Sequence, residues 1–428
     1  MNIHAVKPGE TLYALAARYG LAPALLAGLN GLAADARLVV GQALVVREPQ
    51  PVYTVVSGDT VYSVARRFGT DVQTIYRNNY FLGGQPRLRP GELLAVGYAD
   101  DGNLGRIETN GYAYPFVEPA LLDAALPYLT FLTPFTYGVS RDGGLLPLDD
   151  GALLDAAARY GAAPLMHLST LTESGGFSNE RSSLLLGSAA LRENLIREVL
   201  NTMEQRGYYG LDVDFEFVFP SEREAYAAFI AELRRLLAPR GYPVSVALAP
   251  KTRGDQPGLL YEAHDYALLG AAADTVLLMT YEWGYTYGPP MAVAPLPQVR
   301  AVLDYAVSVV PRDKLLLGVP LYGYDWPLPY VRGETRAESL SPRLAVERAL
   351  AYGAEILYDE RAQSPYYYYT DRLGRQHAVW FEDARSMDAK LRLIAEYRLR
   401  GAGFWSLTRD APQAWTVLNA LYDVARPA

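Results

Sequence analysis

The chain has 428 residues, a formal net charge of −8 and no cysteine. That length exceeds one small domain and is ample for a large core. The acidic balance excludes a basic surface for nucleic acid or anionic lipid, and the missing cysteine excludes a disulfide framework, a thiolate nucleophile and a cysteine metal site. Charge is uneven along the chain: residues 1–100 hold 9 basic and 7 acidic side chains, the remainder 30 and 40. His4, His167, His264 and His377 stand apart without ligand spacing, so neither a metal nor a cofactor is expected, and a His-based triad has little support. No basic segment followed by an apolar one opens the chain, so no classical signal peptide is expected, and no apolar run approaches membrane-spanning length. Tyrosine is abundant, at 33 residues, and with 5 tryptophans it offers flat faces with polar tips that suit sugar stacking.

The first hundred residues contain a repeat with an offset of 49. His4–Gly20 aligns with Tyr53–Gly69, Asn30 with Asn79, and, after a one-residue insertion, Gly41–Leu44 with Gly91–Leu94. Each unit reads as strand, turn, helix, helix, strand. Gly9 and Gly58 permit the turn, and Glu10-Thr11 and Asp59-Thr60 stand where a helix N-cap belongs. Arg47–Pro51 is the expected linker. Both units resemble LysM modules end to end, at 1–47 and 52–97, on the Gly-Asp-Thr turn and the late Gly-x-x-Leu. The resemblance implies binding of N-acetylglucosamine polymers, peptidoglycan or chitin. It places the groove at Gly9–Leu12 with Asn30–Leu32, and at Gly58–Val61 with Asn79–Phe81. Gly9, Thr11, Asn30, Gly58, Asp59, Thr60 and Asn79 are the glycan-binding candidates. Thr11 and Thr60 read equally well as plain helix caps.

From about Gly105 onward, apolar strand-like runs alternate with helical stretches. Eight strands are expected at Gly111–Phe116, Leu129–Tyr137, Leu165–Ser169, Gly210–Phe217, Val244–Ala249, Val276–Tyr281, Leu315–Tyr322 and Ala402–Leu407. Helices are expected at Leu191–Arg206, Arg223–Leu237 and Ala389–Arg398. Eight βα units over 106–428 argue an α/β fold, a (β/α)8 TIM barrel. The span from Asp325 to about Trp380 breaks the rhythm and reads as an α+β insertion after the seventh strand.

The fourth expected strand carries Asp212, Asp214 and Glu216 at every second position. Alternation puts these acids on one face and Leu211, Val213, Phe215 and Phe217 on the other. The flanks are so apolar that both faces look buried, which makes stacked acids costly unless chemistry uses them. Paired carboxylates on one strand suit glycosidic bond cleavage. A solvated strand face or a cation site is the plainer alternative, but calcium wants ligands converging from a turn.

The run 209–216 resembles the glycoside hydrolase family 18 signature Asp-x-x-Asp-x-Asp-x-Glu, with Tyr209 in place of the first Asp. Met279–Glu282 resembles the family's sixth-strand motif, Gly318–Gly323 its seventh, and Trp405 stands where the family floors its sugar pocket. The third-strand Ser-x-Gly-Gly motif has no clean counterpart: Ser174–Gly176 lies several residues past the strand. Residues 279–296 and the tandem N-terminal modules look like the bacterial spore cortex-lytic subgroup. The resemblance implies substrate-assisted retaining cleavage of β-linked N-acetylglucosamine bonds. Glu216 would be general acid and then base, Asp214 would hold the acetamido N–H, Asp212 would share a proton with Asp214, and Tyr281 would donate to the acetamido oxygen. Trp405, Trp283, Tyr322, Met279 and Tyr114 are the substrate-contact candidates, while Trp326 is expected to pack and the role of Glu282 is open. The expected partner is peptidoglycan, in spore cortex or cell wall, with chitin as the rival polymer; neither nucleic acid nor membrane is expected, and the chain should be a monomer. A non-catalytic wall- or coat-binding barrel is the alternative function.

Overall fold

The computed structural model describes residues 1–99 and 103–427. Each N-terminal unit has the expected order. The first runs Asn2–Ala5, Leu12–Arg18, Pro23–Leu29 and Ala43–Val46; the second runs Val52–Thr54, Val61–Arg67, Val72–Asn78 and Leu93–Ala95. The end strands of each unit pair antiparallel. Gly9 and Gly58 adopt φ of +80° and +92°, the left-handed turn that a side chain would strain. Thr11 and Thr60 then cap the helices, accepting from the amides of Ala14 and Ser63, and Ser63 completes a capping box.

Asn30 and Asn79 are buried, and their side chains are committed to the backbone. Each amide donates across to the closing strand (Val45 O, 2.9 Å; Ala95 O, 2.8 Å) and accepts the amide of the same residue. These two candidates therefore clamp helix to strand, and Asn30 also lines a cavity between its unit and the larger domain. The repeat marks them because each unit needs the same clamp.

The expected linker is packed rather than loose. Gln50 N donates to Gly97 O at 2.8 Å, and the Arg47 guanidinium lies 3.7 Å above the Tyr98 ring. Both units also dock on the larger domain. Gln413 donates to Asn30 and Ala43 O, Thr416 to Leu29 O, and Tyr160 to Gly84 O.

Eight parallel strands close the barrel: Arg106–Ala113, Phe131–Pro134, Ala163–Ser169, Gly210–Asp214, Val244–Leu248, Thr275–Leu278, Leu315–Pro320 and Gly401–Trp405. The eighth pairs with the first, Gly401 opposite Glu108. All eight sit where the runs predicted, with displaced ends. The first begins five residues earlier than expected, because its polar Glu108, Thr109 and Asn110 still hold ladder positions. The fourth stops at Asp214 and not Phe217. Its ladder with the fifth ends at Val213 opposite Val246, although the side-chain alternation runs on. Leu211, Val213 and Phe215 face the helical shell, where Phe215 stacks on Tyr226 and Phe229 of the helix Arg223–Leu237. Between the seventh and eighth strands, residues 323–380 form a five-stranded antiparallel sheet with the helix Pro342–Tyr352.

Candidate active site

Asp212 and Asp214 point inside the barrel at the strand's carboxyl end, where catalytic groups gather in this architecture. Asp212 is wholly buried and accepts from the Tyr112 hydroxyl at 2.8 Å. Burial raises its carboxyl to about 6, against the hydrogen bonds from Tyr112 and Ser245. Asp214 is 5% exposed, and burial together with the charges of Glu216 and Asp212 pushes it well above the carboxylate range. His167 lies close to both, its Nε2 3.9 Å from Asp212 and 3.7 Å from Asp214. Burial holds that imidazole down to about 3, so it is neutral and supplies no cation. Its Nδ1 bonds the Thr136 hydroxyl at 2.6 Å.

Glu216 lies two residues beyond the strand and is half-buried. Burial, then the charge of Glu282, raises its carboxyl to about 7. It opens onto a cavity of about 990 Å³ lined also by Arg253, Gln256, Tyr261, Met279, Tyr281 and Trp283. A second cavity, of about 1040 Å³, is lined by Tyr114, Phe116, Tyr322, Tyr324, Trp405 and Arg409. Glu282 lines both, so the two are halves of one cleft. Of the three acids, only Glu216 lines either half.

The predicted aromatic residues gather here. Trp405 packs edge-on against Phe135 (4.9 Å between ring centres) and Tyr114 (5.8 Å), and lies tilted 5.7 Å from Tyr112. Tyr281 is 8% exposed at the cleft wall, and burial with the nearby acids pushes its phenol far up, so it keeps its proton. Trp283 and Met279 line the Glu216 half, and Tyr114 and Tyr322 the Trp405 half. Trp326 is fully buried, its indole N–H donating to Gly288 O at 2.8 Å. Ser174–Gly176 lies in a loop closed by the Leu171–Phe177 bridge, beyond the third strand.

Sequence reasoning missed Tyr112, His167 and Ser245, the neutral groups beside the two aspartates, and Thr136, which bonds His167. It left open Glu282, which accepts from the Tyr322 and Tyr324 hydroxyls at a left-handed φ of +68°. That φ on a non-glycine residue was not visible in composition. Tyr209 lies at the other end of the strand, its ring 5.6 Å from Phe131 in an apolar patch with Ala163 and Leu165. Among the described residues, no group of three or more His, Cys, Asp or Glu could hold a metal ion, and no single helix is long and apolar enough to cross a membrane.

The family model for glycosyl hydrolases family 18 matches residues 165–410, and the LysM domain model matches 4–47 and 53–97. The chain is 36% identical over 433 residues to the cortical fragment-lytic enzyme of Bacillus anthracis, covering 100% of this chain and 99% of that one. It is 42% identical over 328 residues, 75% of each chain, to the cortical fragment-lytic enzyme of Bacillus subtilis (strain 168). The crystal structure of the Bacillus megaterium QM B1551 spore cortex-lytic enzyme SleL superposes with a TM-score of 0.84 at 36% identity, covering 100% and 99% of the two chains.

Proposed function

The chain belongs to the family 18 glycosyl hydrolases and is a glycosidase, and on that footing we propose that it cleaves β-linked N-acetylglucosamine bonds of spore-cortex peptidoglycan by substrate-assisted, retaining catalysis. The observation that carries the mechanism is the depth of the acids. Of the strand's three carboxyls one reaches the cleft and two lie beneath it; of the other acids lining the cleft, Glu282 is engaged by the Tyr322 and Tyr324 hydroxyls and Glu118 is exposed. A two-carboxylate mechanism needs a second acid at the sugar as nucleophile, whereas an acetamido sugar can bring its own.

Glu216, holding its proton up to about pH 7, protonates the leaving glycosidic oxygen. The acetamido oxygen of the substrate attacks the anomeric carbon, and the glycosidic bond breaks with its electron pair going to the protonated oxygen. Asp214 accepts from the acetamido N–H, and Tyr281, still protonated, donates to the acetamido oxygen. Asp212, held by Tyr112, shares a proton with Asp214, so the pair titrates together. Glu216, now ionised, takes a proton from water, which opens the oxazolinium ring with retention. Trp405 floors the sugar being cleaved, while Met279 and Trp283 flank the leaving glycan.

The choice of cortex rests on the full-length similarity to cortical fragment-lytic enzymes. The LysM pair would hold the same polymer through the open turns at Gly9–Leu12 and Gly58–Val61. No Cβ contact lies within 4 Å of either glycine. Docking on the barrel gives those modules a fixed bearing on the cleft.

Purified Glu216→Gln should keep its fold and release no soluble fragments or new reducing ends from cortex. Undiminished release overturns the assignment. Mass spectrometry of products from cortex and from chitin, side by side with wild type, tests the substrate: fragments from chitin alone would reject peptidoglycan.

A further inference from the structure

The fourth and fifth barrel strands part company just below the acid. Their ladder ends at Val213 opposite Val246, yet the next groups, the Phe215 carbonyl and the Ala249 amide, are both wholly buried. Buried backbone groups need partners. One side chain meets both. Ala249 N donates to His264 Nδ1 at 2.8 Å, and His264 Nε2 lies 3.0 Å from Phe215 O. His264 itself is 0% exposed.

The two partners fix the tautomer. An amide N–H can only donate, so Nδ1 is the acceptor; a carbonyl can only accept, so Nε2 carries the proton. Burial depresses the imidazole to about 4, which keeps it in that neutral form. The segment bearing His264 is itself tied down. Lys251, 1% exposed, donates from Nζ to Gly254 O (3.0 Å) and His264 O (3.1 Å). Tyr266 donates to Ala249 O and accepts from Lys251 N.

We propose that His264 is a positioning residue for the catalytic acid: its imidazole is a side-chain rung that continues the ladder between the fourth and fifth strands and fixes the peptide from which Glu216 projects. This rests on the reading of Glu216 as the acid. The strands must separate here to leave room for a sugar, and the rung lets them separate without releasing the acid. The carbonyl that His264 holds belongs to the residue directly before Glu216, so the bond sets the acid's direction without touching substrate.

Two variants separate this role from simple packing. In His264→Gln the terminal amide can still donate to Phe215 O. In His264→Asn the side-chain oxygen takes the place of Nδ1, keeping Ala249 and leaving Phe215 O unpaired. On soluble cortex fragments, His264→Asn should lose roughly 10- to 100-fold in kcat with KM unchanged, and His264→Gln should recover most of it. Equal kcat for the two variants, or a loss confined to KM, overturns the proposal. Should either variant fail to fold, nitrogen-15 NMR of the wild-type imidazoles decides. A neutral His264 protonated at Nε2 between about pH 5 and pH 8 supports the rung; protonation at Nδ1, or an imidazolium, overturns it. Glu216→Gln is assayed in parallel. Activity retained there rejects the acid assignment, whereas an inactive Glu216→Gln beside equal His264 variants rejects only the rung.

Discussion

Two of the places where the molecule buries acids treat them differently. Glu382 is 1% exposed, and Lys390 meets it at 2.8 Å from the helix Ala384–Tyr397. Asp212, Asp214 and Glu216 stack at the barrel mouth with a neutral histidine, a tyrosine and a serine for company. In the first arrangement burial raises the Glu382 carboxyl and the Lys390 ammonium works against that, which is how a fold accommodates a buried charge. The second leaves the protons on the acids, which is how a site stores a proton for transfer. The absence of a matching cation among the described residues, more than burial itself, separates chemistry from architecture here.

The difference can be broken at either end. Lys390→Met leaves Glu382 as a lone buried charge and should destabilise the protein by about 3–5 kcal/mol, with kcat per folded molecule unchanged. Denaturant unfolding and active-site assays check both halves. Asp214→Asn should do the reverse, raising the thermal midpoint at about pH 8 while hydrolysis collapses. A lower midpoint for Asp214→Asn would mean that the mouth is held by its charges after all.

The pH dependence follows with its sign. Asp212, Asp214 and Glu216 have folded-state values above their ordinary ones. The folded state therefore binds more protons than the unfolded chain, and their contribution is present below about pH 4 and lost as pH rises through about 7. The midpoint of Glu216→Gln should match wild type near pH 4 and exceed it above neutrality. Activity should fall on the basic side as Glu216 ionises. Burial is the larger cause of its raised value and the charge of Glu282 the next, so Glu282→Gln should move that basic limb to lower pH. A limb that stays put would remove Glu282 from the control of the acid.

The run 210–217 announced the barrel and the acids because its alternation is local. The neutral groups beside the acids are not local. Tyr112 is 100 residues from Asp212, and Tyr112, His167 and Ser245 stand on the first, third and fifth strands, with Thr136 two residues past the second. Only barrel closure brings them together. Strand ends were misjudged for a related reason: side-chain alternation persists past Asp214 although the ladder has ended. His264, 49 residues from Phe215, is where that ladder is completed, and an isolated histidine carries no sign of it. The asparagine pair shows the opposite failure. Asn30 and Asn79 recur at the repeat offset, and recurrence marks a shared constraint without saying whether it is a ligand or a clamp.

Tyr209 gives the smallest expected effect and the sharpest test of how local the electrostatics are. It stands in the place of the signature's first aspartate, and that departure alone would suggest a weakened site. Its ring instead fills an apolar patch with Phe131, Ala163 and Leu165 at the closed end of the barrel. Three residues of extended chain separate it from Asp212, roughly 10 Å at 3.3 Å per residue. Asp212 in turn keeps its own hydrogen bonds from Tyr112 and Ser245. Tyr209→Asp should therefore leave the basic limb of activity where it is, and should lower stability by roughly 1–3 kcal/mol through lost apolar contact and a half-buried charge. An upward shift of the limb in that variant would show that a carboxylate at 209 reaches Glu216 through the aspartate stack, and that the tyrosine sets the acid's strength as well as the barrel floor.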